Sequence, residues 1–291
     1  MASTELIKKL RDMTQAGVMD AVKALKECHD DLDKAAQWLR EKGIAKASKK
    51  AGAIVTEGVV KTSVDDNYAA IIEINSQTDF VAKNDGFINL VKEIKSLVAQ
   101  HKPQDIDALN NIKTADGSTI SGACINLTAK TGEKIVVRRI GVLNKTDNQF
   151  FQVYEHFNDK IGVIMLVNNH KEDVNKGVAM HIAAMNPKFL RIEDVSRDFL
   201  ENEKAILTKQ TLAEGKPADR VEMIVKGRIR KSLSEVCLLE QNFFKDPSKT
   251  IGQYLNENGV ELIKFIRFEV GEGVEKKQTD FAAEVAQQIG K

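Results

Sequence analysis

Five histidines (His29, His101, His156, His170, His181) and three cysteines (Cys28, Cys124, Cys237) are the side chains that could hold a metal or attack a substrate. Their spacing does not favour either. No HxxxH or CxxC pair occurs, whereas a zinc site draws its ligands from such close pairs. Cys28 and His29 look like a nucleophile and its base, but adjacent positions on a helix do not face each other. There is no GxxxxGK[ST] loop or GxGxxG run to cradle a phosphate, and Gly271-Glu272-Gly273 is too short and too acidic to replace one. No catalytic residue, metal ligand or cofactor is therefore expected.

One stretch joins two readable elements: Thr78-Asp79-Phe80-Val81-Ala82-Lys83-Asn84. Before it, Tyr68 to Ile74 is rich in aromatic and β-branched residues and predicts a strand buried on at least one face. After it, Phe87, Leu90, Val91, Ile94, Leu97 and Val98 recur at helical spacing. The join carries four candidate helix caps, Ser76, Thr78, Asp79 and Asn84, whose oxygens can accept the free N–H groups of a first turn. Phe80 stands among these polar groups, either tucked into the core or held out for a partner. From physics alone, tucking is the commoner fate of a lone aromatic.

The wording of the stretch adds a second argument. Asn75 to Asn84 (NSQTDFVAKN) resembles the signature of the bacterial elongation factor Ts family, guanine-nucleotide exchange factors for elongation factor Tu. Leu10 to Asp20 (LRDMTQAGVMD) is similar to that family's amino-terminal segment, and Phe265 to Gly273 (FIRFEVGEG) to its carboxy-terminal strand. The three motifs stand in the family's order and reach across nearly the whole chain.

Composition sets broad limits. At 291 residues, with 42% hydrophobic and 29% charged side chains, the chain has an ordinary globular balance and room for more than one domain. Its 43 basic and 42 acidic side chains leave a net charge of +1, so no global field draws it to nucleic acid. No apolar run approaches the ~20 residues of a membrane span. Three distant cysteines suit a reducing compartment. Together these predict a cytoplasmic protein that contacts neither membrane nor nucleic acid directly.

The predicted fold class is α+β, in four parts. Residues 1–52 form a three-helix module, with faces Leu6/Ile7/Leu10, Val18/Ala21/Val22/Leu25 and Leu32/Ala35/Ala36/Leu39, and cap candidates Ser3, Thr14 and Asp31. They look like a ubiquitin-associated bundle. The lysines at 42, 46, 49 and 50 read as a solvated linker helix, since no arginine or aromatic accompanies them. Residues 53–144 form a first core half carrying TDFVAKN, with a looser region at 101–133. Residues 145–275 form a related second half, whose strand Ile161–Val167 leads through a polar corner (Asn168 to Asp173) into another helix, without a Phe-Val pair. This half includes a helical hairpin at about 190–235, turning at Glu214-Gly215-Lys216-Pro217, because Gly215 can end a helix and Pro217 can begin one. Residues 276–291 form a carboxy-terminal helical module in which Thr279-Asp280-Phe281 repeats the TDF tripeptide.

What the resemblance implies is specific. The chain would bind elongation factor Tu, both GDP-bound and nucleotide-free, and promote GDP release, with no covalent chemistry of its own. Thr78, Asp79, Phe80 and Val81 would disturb the Mg²⁺ and phosphate site of Tu: Phe80 wedges into neighbouring helices and Mg²⁺ is displaced. Arg11 and Met19 of the amino-terminal module, His156 and Phe281 are further partner contacts; His156 matches a family histidine held to meet the far domain of Tu. At Thr131 the family often has an aliphatic residue, which puts an apolar contact there in doubt. A homodimer is left open. The alternative is a ubiquitin-associated-type protein-binding scaffold without exchange activity.

Overall fold

Helical spacing accounts for the first three elements of the computed structural model, which describes residues 3–14, 16 and 18–274. Helices α1 (Thr4–Thr14), α2 (Val18–Glu27) and α3 (Leu32–Lys49) bury Leu10, Ala21, Ala24, Leu25 and Ala35 against one another. Ser3 Oγ accepts the Leu6 amide at 3.2 Å and Asp31 Oδ1 the Lys34 amide at 3.0 Å, so two of the three proposed caps close first turns. Thr14 instead donates to the Leu10 carbonyl at 2.6 Å, at the end of α1.

Strands β1 (Glu57–Asp65) and β2 (Tyr68–Ser76) follow, then helices α4 (Asp79–Ala82), α5 (Asp85–His101), α6 (Ile106–Asn111) and α7 (Ile120–Thr131), and strand β3 (Val136–Asn144). These strands form one sheet in the order β1-β2-β3. Next come β4 (Phe150–Glu155), β5 (Ile161–Val167), α8 (Glu172–Met185), α9 (Arg197–Ala213) and α10 (Ala218–Val236). The chain continues through β6 (Asn242–Phe243), β7 (Asp246–Thr250), α11 (Ile251–Glu257) and β8 (Leu262–Glu269). A second three-stranded sheet runs β4-β5-β8, and β6 pairs with β7. The fold is α+β.

The chain divides into two compact units. Of the described residues, the first holds those within 3–60, 72–140 and 269–274, the second residues 61–71 and 141–268. In the second, Met165 of β5, Val178 and Ile182 of α8, Leu238, Ile251 and Leu262 belong to one apolar core. The predicted hairpin is α9 and α10, with Gly215 at a φ of 72° in the turn and Arg228 gripping Glu214 at 2.8 and 2.6 Å.

Two segments of the first unit differ from expectation. The region 101–133 holds two capped helices, α6 with Asp105 and α7 with Thr119 as N-caps. The residues 42–49 are not a free linker but the last turns of α3, which packs on α7; a Cβ added to Gly43 would stand 2.8 Å from the Ala129 Cβ. Helix α7 has few large apolar residues, so its helicity depends on the neighbours it packs against rather than on propensity.

Every residue of β2 is buried, including the carboxylate of Glu73. Arg138 Nη1 donates to both Glu73 oxygens at 3.0 Å, Arg139 Nε to Oε2 at 2.5 Å, and the Gly271 amide to Oε1 at 2.8 Å. Burial opposes the charge, but the Gly271 amide, the Asn75 side chain at 2.9 Å and Arg139 outweigh it and hold Glu73 below the usual carboxylate range. The knot joins β2, β3 and the segment after β8.

Glu73→Gln keeps the volume and removes the charge that Arg138 and Arg139 share, leaving Arg139 its pair with Glu272 at 3.1 Å. It is expected to destabilise the protein by about 3 kcal/mol at pH 7. The folded state lowers this pKa, so the unfolded chain takes up the proton first as the pH falls. Wild-type stability from Glu73 is therefore complete above the ordinary value of 4.5 and is lost as pH falls below it. Urea unfolding at pH 7 and pH 4 should show the gap between the two proteins narrowing in acid; a gap independent of pH would contradict this role.

Candidate functional site

At the end of β2 the chain leaves the sheet and turns through Gln77 and Thr78 into α4. Thr78 is the N-cap of that helix, with extended backbone (φ −124°, ψ 158°) and its Oγ accepting the Val81 amide at 3.4 Å. Glu133, just past α7, grips the same residue. Its carboxylate accepts the Thr78 amide at 3.1 Å and the Thr78 hydroxyl at 2.9 and 3.0 Å. Ser76 Oγ donates to the Thr78 carbonyl at 2.9 Å, and Gln77 Oε1 accepts the Lys134 amide at 2.9 Å. Asn84 caps the following helix, taking the Gly86 amide at 2.8 Å. Of the four cap candidates Thr78 and Asn84 act as caps, and Ser76 braces the corner. Asp79 lies in the first turn of α4 and pairs with Lys83 at 2.7 Å, which raises the Lys83 pKa.

This leaves one apolar group out. Phe80 is 81% exposed, so the ring is held out rather than tucked in. Val81, one residue on, is half-buried. A four-residue helix capped at its first residue, with its entry clamped by a carboxylate, holds a phenyl ring on a stiff mount. Such a mount spares the ordering entropy that a flexible loop would lose on binding.

The amino-terminal module presents a second apolar corner. Met19 is 81% exposed at the start of α2, and Met13 and Val18 are exposed beside it in sequence. Arg11 is exposed on α1 and donates from Nε to the Ala16 carbonyl at 3.3 Å. Arg11, Met19 and the Thr78–Val81 corner belong to the first unit and His156 to the second. His156 immediately follows β4, half-buried, with Nδ1 2.8 Å from Asn158 Oδ1. Phe281 lies outside the described residues. Thr131, where the family often has an aliphatic residue, donates to the Leu127 carbonyl at 3.0 Å and accepts the Glu133 amide at 3.3 Å. Its hydroxyl thus shapes the backbone that carries Glu133. Nothing in the sequence marks Glu133 as the clamp, because its partner is 55 residues away and the intervening helices read as loose.

Two of the three cysteines, Cys124 and Cys237, are buried, and Cys28 is half-buried. Burial pushes the Cys124 thiol up to about 12 and the Cys237 thiol up to about 11. His181 is fully buried, its Nε2 3.0 Å from Gln241 Oε1, and burial lowers its pKa. Among the described residues no group of three or more His, Cys, Asp or Glu could hold a metal ion, and no helix is long and apolar enough to cross a membrane.

If Glu133 is the clamp, Glu133→Ala should leave the Thr78 amide unpaired, a local loss of about 1–3 kcal/mol. Hydrogen exchange at the amides of Thr78 to Val81 should accelerate about tenfold or more, while that of the α5 core stays slow. Unchanged exchange at the corner would show that the clamp does not stiffen it.

The corner falls within the part of the chain that comparison with known proteins picks out. The family described as Elongation factor TS matches residues 77–272. Elongation factor Ts of Pediococcus pentosaceus is 46% identical over 288 residues, covering 99% of this chain and 98% of that protein. Elongation factor Ts of Limosilactobacillus fermentum is 46% identical over 289 residues, with 99% of each covered. Elongation factor Ts of Mycoplasmoides gallisepticum is 46% identical over 291 residues, with 99% of this chain and 100% of that protein covered. The chain belongs to the elongation factor Ts family of translation elongation factors.

Proposed function

We propose that this chain is a cytoplasmic guanine-nucleotide exchange factor that binds elongation factor Tu·GDP and speeds GDP release without making or breaking a covalent bond. The observation that supports it is the stiffly mounted, exposed Phe80. P-loop GTPases hold their nucleotide through phosphate contacts and a Mg²⁺ fixed by a Ser/Thr and an Asp. Thr78 to Val81 act on that arrangement: the Phe80 ring enters between helices beside the nucleotide, Asp79 supplies polar contacts, and the Mg²⁺ is dislodged. The amino-terminal module docks on the nucleotide-binding domain through Arg11 and Met19, and His156 meets the far domain.

Magnitudes require this division of labour. Weakening nucleotide binding 10⁴-fold takes about 5.5 kcal/mol of differential binding. Burying one phenylalanine supplies roughly 1.5–3 kcal/mol. Phe80 therefore acts with other contacts, and GDP must weaken the grip of the factor on Tu by the same factor in return.

The test is the release rate of a fluorescent GDP analogue from Tu, with wild type, Phe80→Ala and His156→Ala, each with Mg²⁺ and in chelator. Phe80→Ala should slow release at least tenfold in Mg²⁺ with an unchanged melting temperature. In chelator it should converge with wild type, because the metal it helps displace is already gone, while the effect of His156→Ala persists. Equal slowing by Phe80→Ala under both conditions would rule out metal displacement. No acceleration by the wild type would rule out exchange.

A further inference from the structure

The most exposed large hydrophobic residue described is not Phe80 but Phe157, at 91%. It sits at the tip of the β4–β5 hairpin, past the last paired residues Glu155 and Gly162. The Asp159 amide donates to the His156 carbonyl at 2.8 Å and the His156 amide to the Ile161 carbonyl at 2.9 Å, closing a tight turn with Asp159 at a φ of 58°. Position i+1 of such a turn accepts most residues and does not call for an aromatic.

The polar groups around the ring are committed to the turn itself. Asn158 Oδ1 accepts the Lys160 amide at 3.1 Å and lies 2.8 Å from His156 Nδ1. Lys61 Nζ bridges Asp159 at 2.6 Å and Glu155 at 3.4 Å. Glu155 in turn accepts the Thr62 amide at 2.7 Å and the Thr62 hydroxyl at 2.8 Å. An ion-paired strand end thus holds the turn in one shape, and the turn leaves a phenyl in water that the fold does not use. The ring packs on the imidazole of His156, with centroids 4.4 Å apart.

We propose that Phe157 is an affinity anchor for the same GTPase partner, its ring filling an apolar pocket on the surface that meets His156. This rests on the reading that the chain binds elongation factor Tu through His156. Because the two rings are in contact and Phe157 is the more exposed, a surface that covers His156 must also meet Phe157. Its role differs from that of Phe80: it holds the complex together and does not act on the nucleotide. A large side chain that fills a desolvated pocket can carry much of an interface's binding energy, and a preordered mount lowers what binding costs.

The experiment uses the full-length protein and purified Tu·GDP, with dissociation of the complex and GDP release as separate readouts. Phe157→Ala should dissociate at least about tenfold faster, the usual effect of truncating an aromatic anchor. GDP release at saturating factor should stay within about twofold of wild type, and the melting temperature should not move, since so exposed a ring adds little to the fold. Phe157→Leu should recover part of the affinity and His156→Ala should not mimic the whole loss. Dissociation within twofold of wild type overturns the proposal. So does a Phe157→Ala protein that loses self-association while keeping its affinity for Tu, which would assign the ring to a second copy of this chain. If wild type itself fails to bind Tu, the exchange reading falls, whereas a binding wild type beside an unaffected Phe157→Ala removes only the anchor.

Discussion

A fully buried carboxylate, Glu73 in the middle strand of the first sheet, is the constraint on which the first unit depends. Its partners come from positions 65, 66 and 198 residues away in the chain, so it can be satisfied only when β2, β3 and the segment after β8 are all in place. Apolar packing tolerates sliding by small displacements, but a charge without its donors in a dry interior is strongly unfavourable. The same strand has a second steric lock. Gly58 of β1 has a φ of 140°, and a Cβ there would stand 2.1 Å from the Ile74 carbonyl oxygen. Register is therefore specified on both sides of Ile74, only four residues before Thr78 begins the exposed corner.

That proximity links the interior to the site. Asn75, Ser76 and Gln77 run from the knot to the corner, and each has a defined bond: to Glu73, to the Thr78 carbonyl, and from the Lys134 amide. Glu133 then fixes Thr78 from the far end of α7. The corner is thus anchored through two carboxylates, one buried in the sheet and one at a helix end. A substitution at either would alter the presentation of Phe80 without touching the ring.

The parts of this arrangement that are legible in the sequence are those with a short period. The apolar run of β2, the helical spacing of Phe87 to Val98 in α5, and the Gly215–Pro217 turn each declare themselves within a few residues. Helices α6 and α7 do not, because Gly, Ser, Asn and Thr dilute their apolar faces and tertiary packing supplies what propensity lacks. Glu73 and Glu133 are equally hidden. A glutamate in an apolar strand looks like a solvent-facing position, and its burial follows only from donors far away in the chain. The Phe80 ring is ambiguous for a related reason: local sequence places it at a corner, while its exposure depends on α4 being capped and braced.

The two three-stranded sheets show what was added to make the site. In each, the middle strand, β2 or β5, leads through a polar corner to a long helix. The second corner goes directly into α8, whose N-cap Lys171 makes no side-chain cap bond, and Asn168 is occupied in accepting the Glu261 amide at 2.7 Å. The first corner inserts α4, a single turn with its own cap and its own clamp. One turn advances the chain by only about 5.4 Å, yet it gives Phe80 a position outside the sheet-to-helix packing, where a plain corner would direct an aromatic inward. An exposed phenyl on a flexible loop would collapse onto the nearest apolar surface of its own chain. The cap on α4 and the carboxylate at its entry hold the ring out, and the stiffness of this corner is therefore as much a part of the functional proposal as the ring itself.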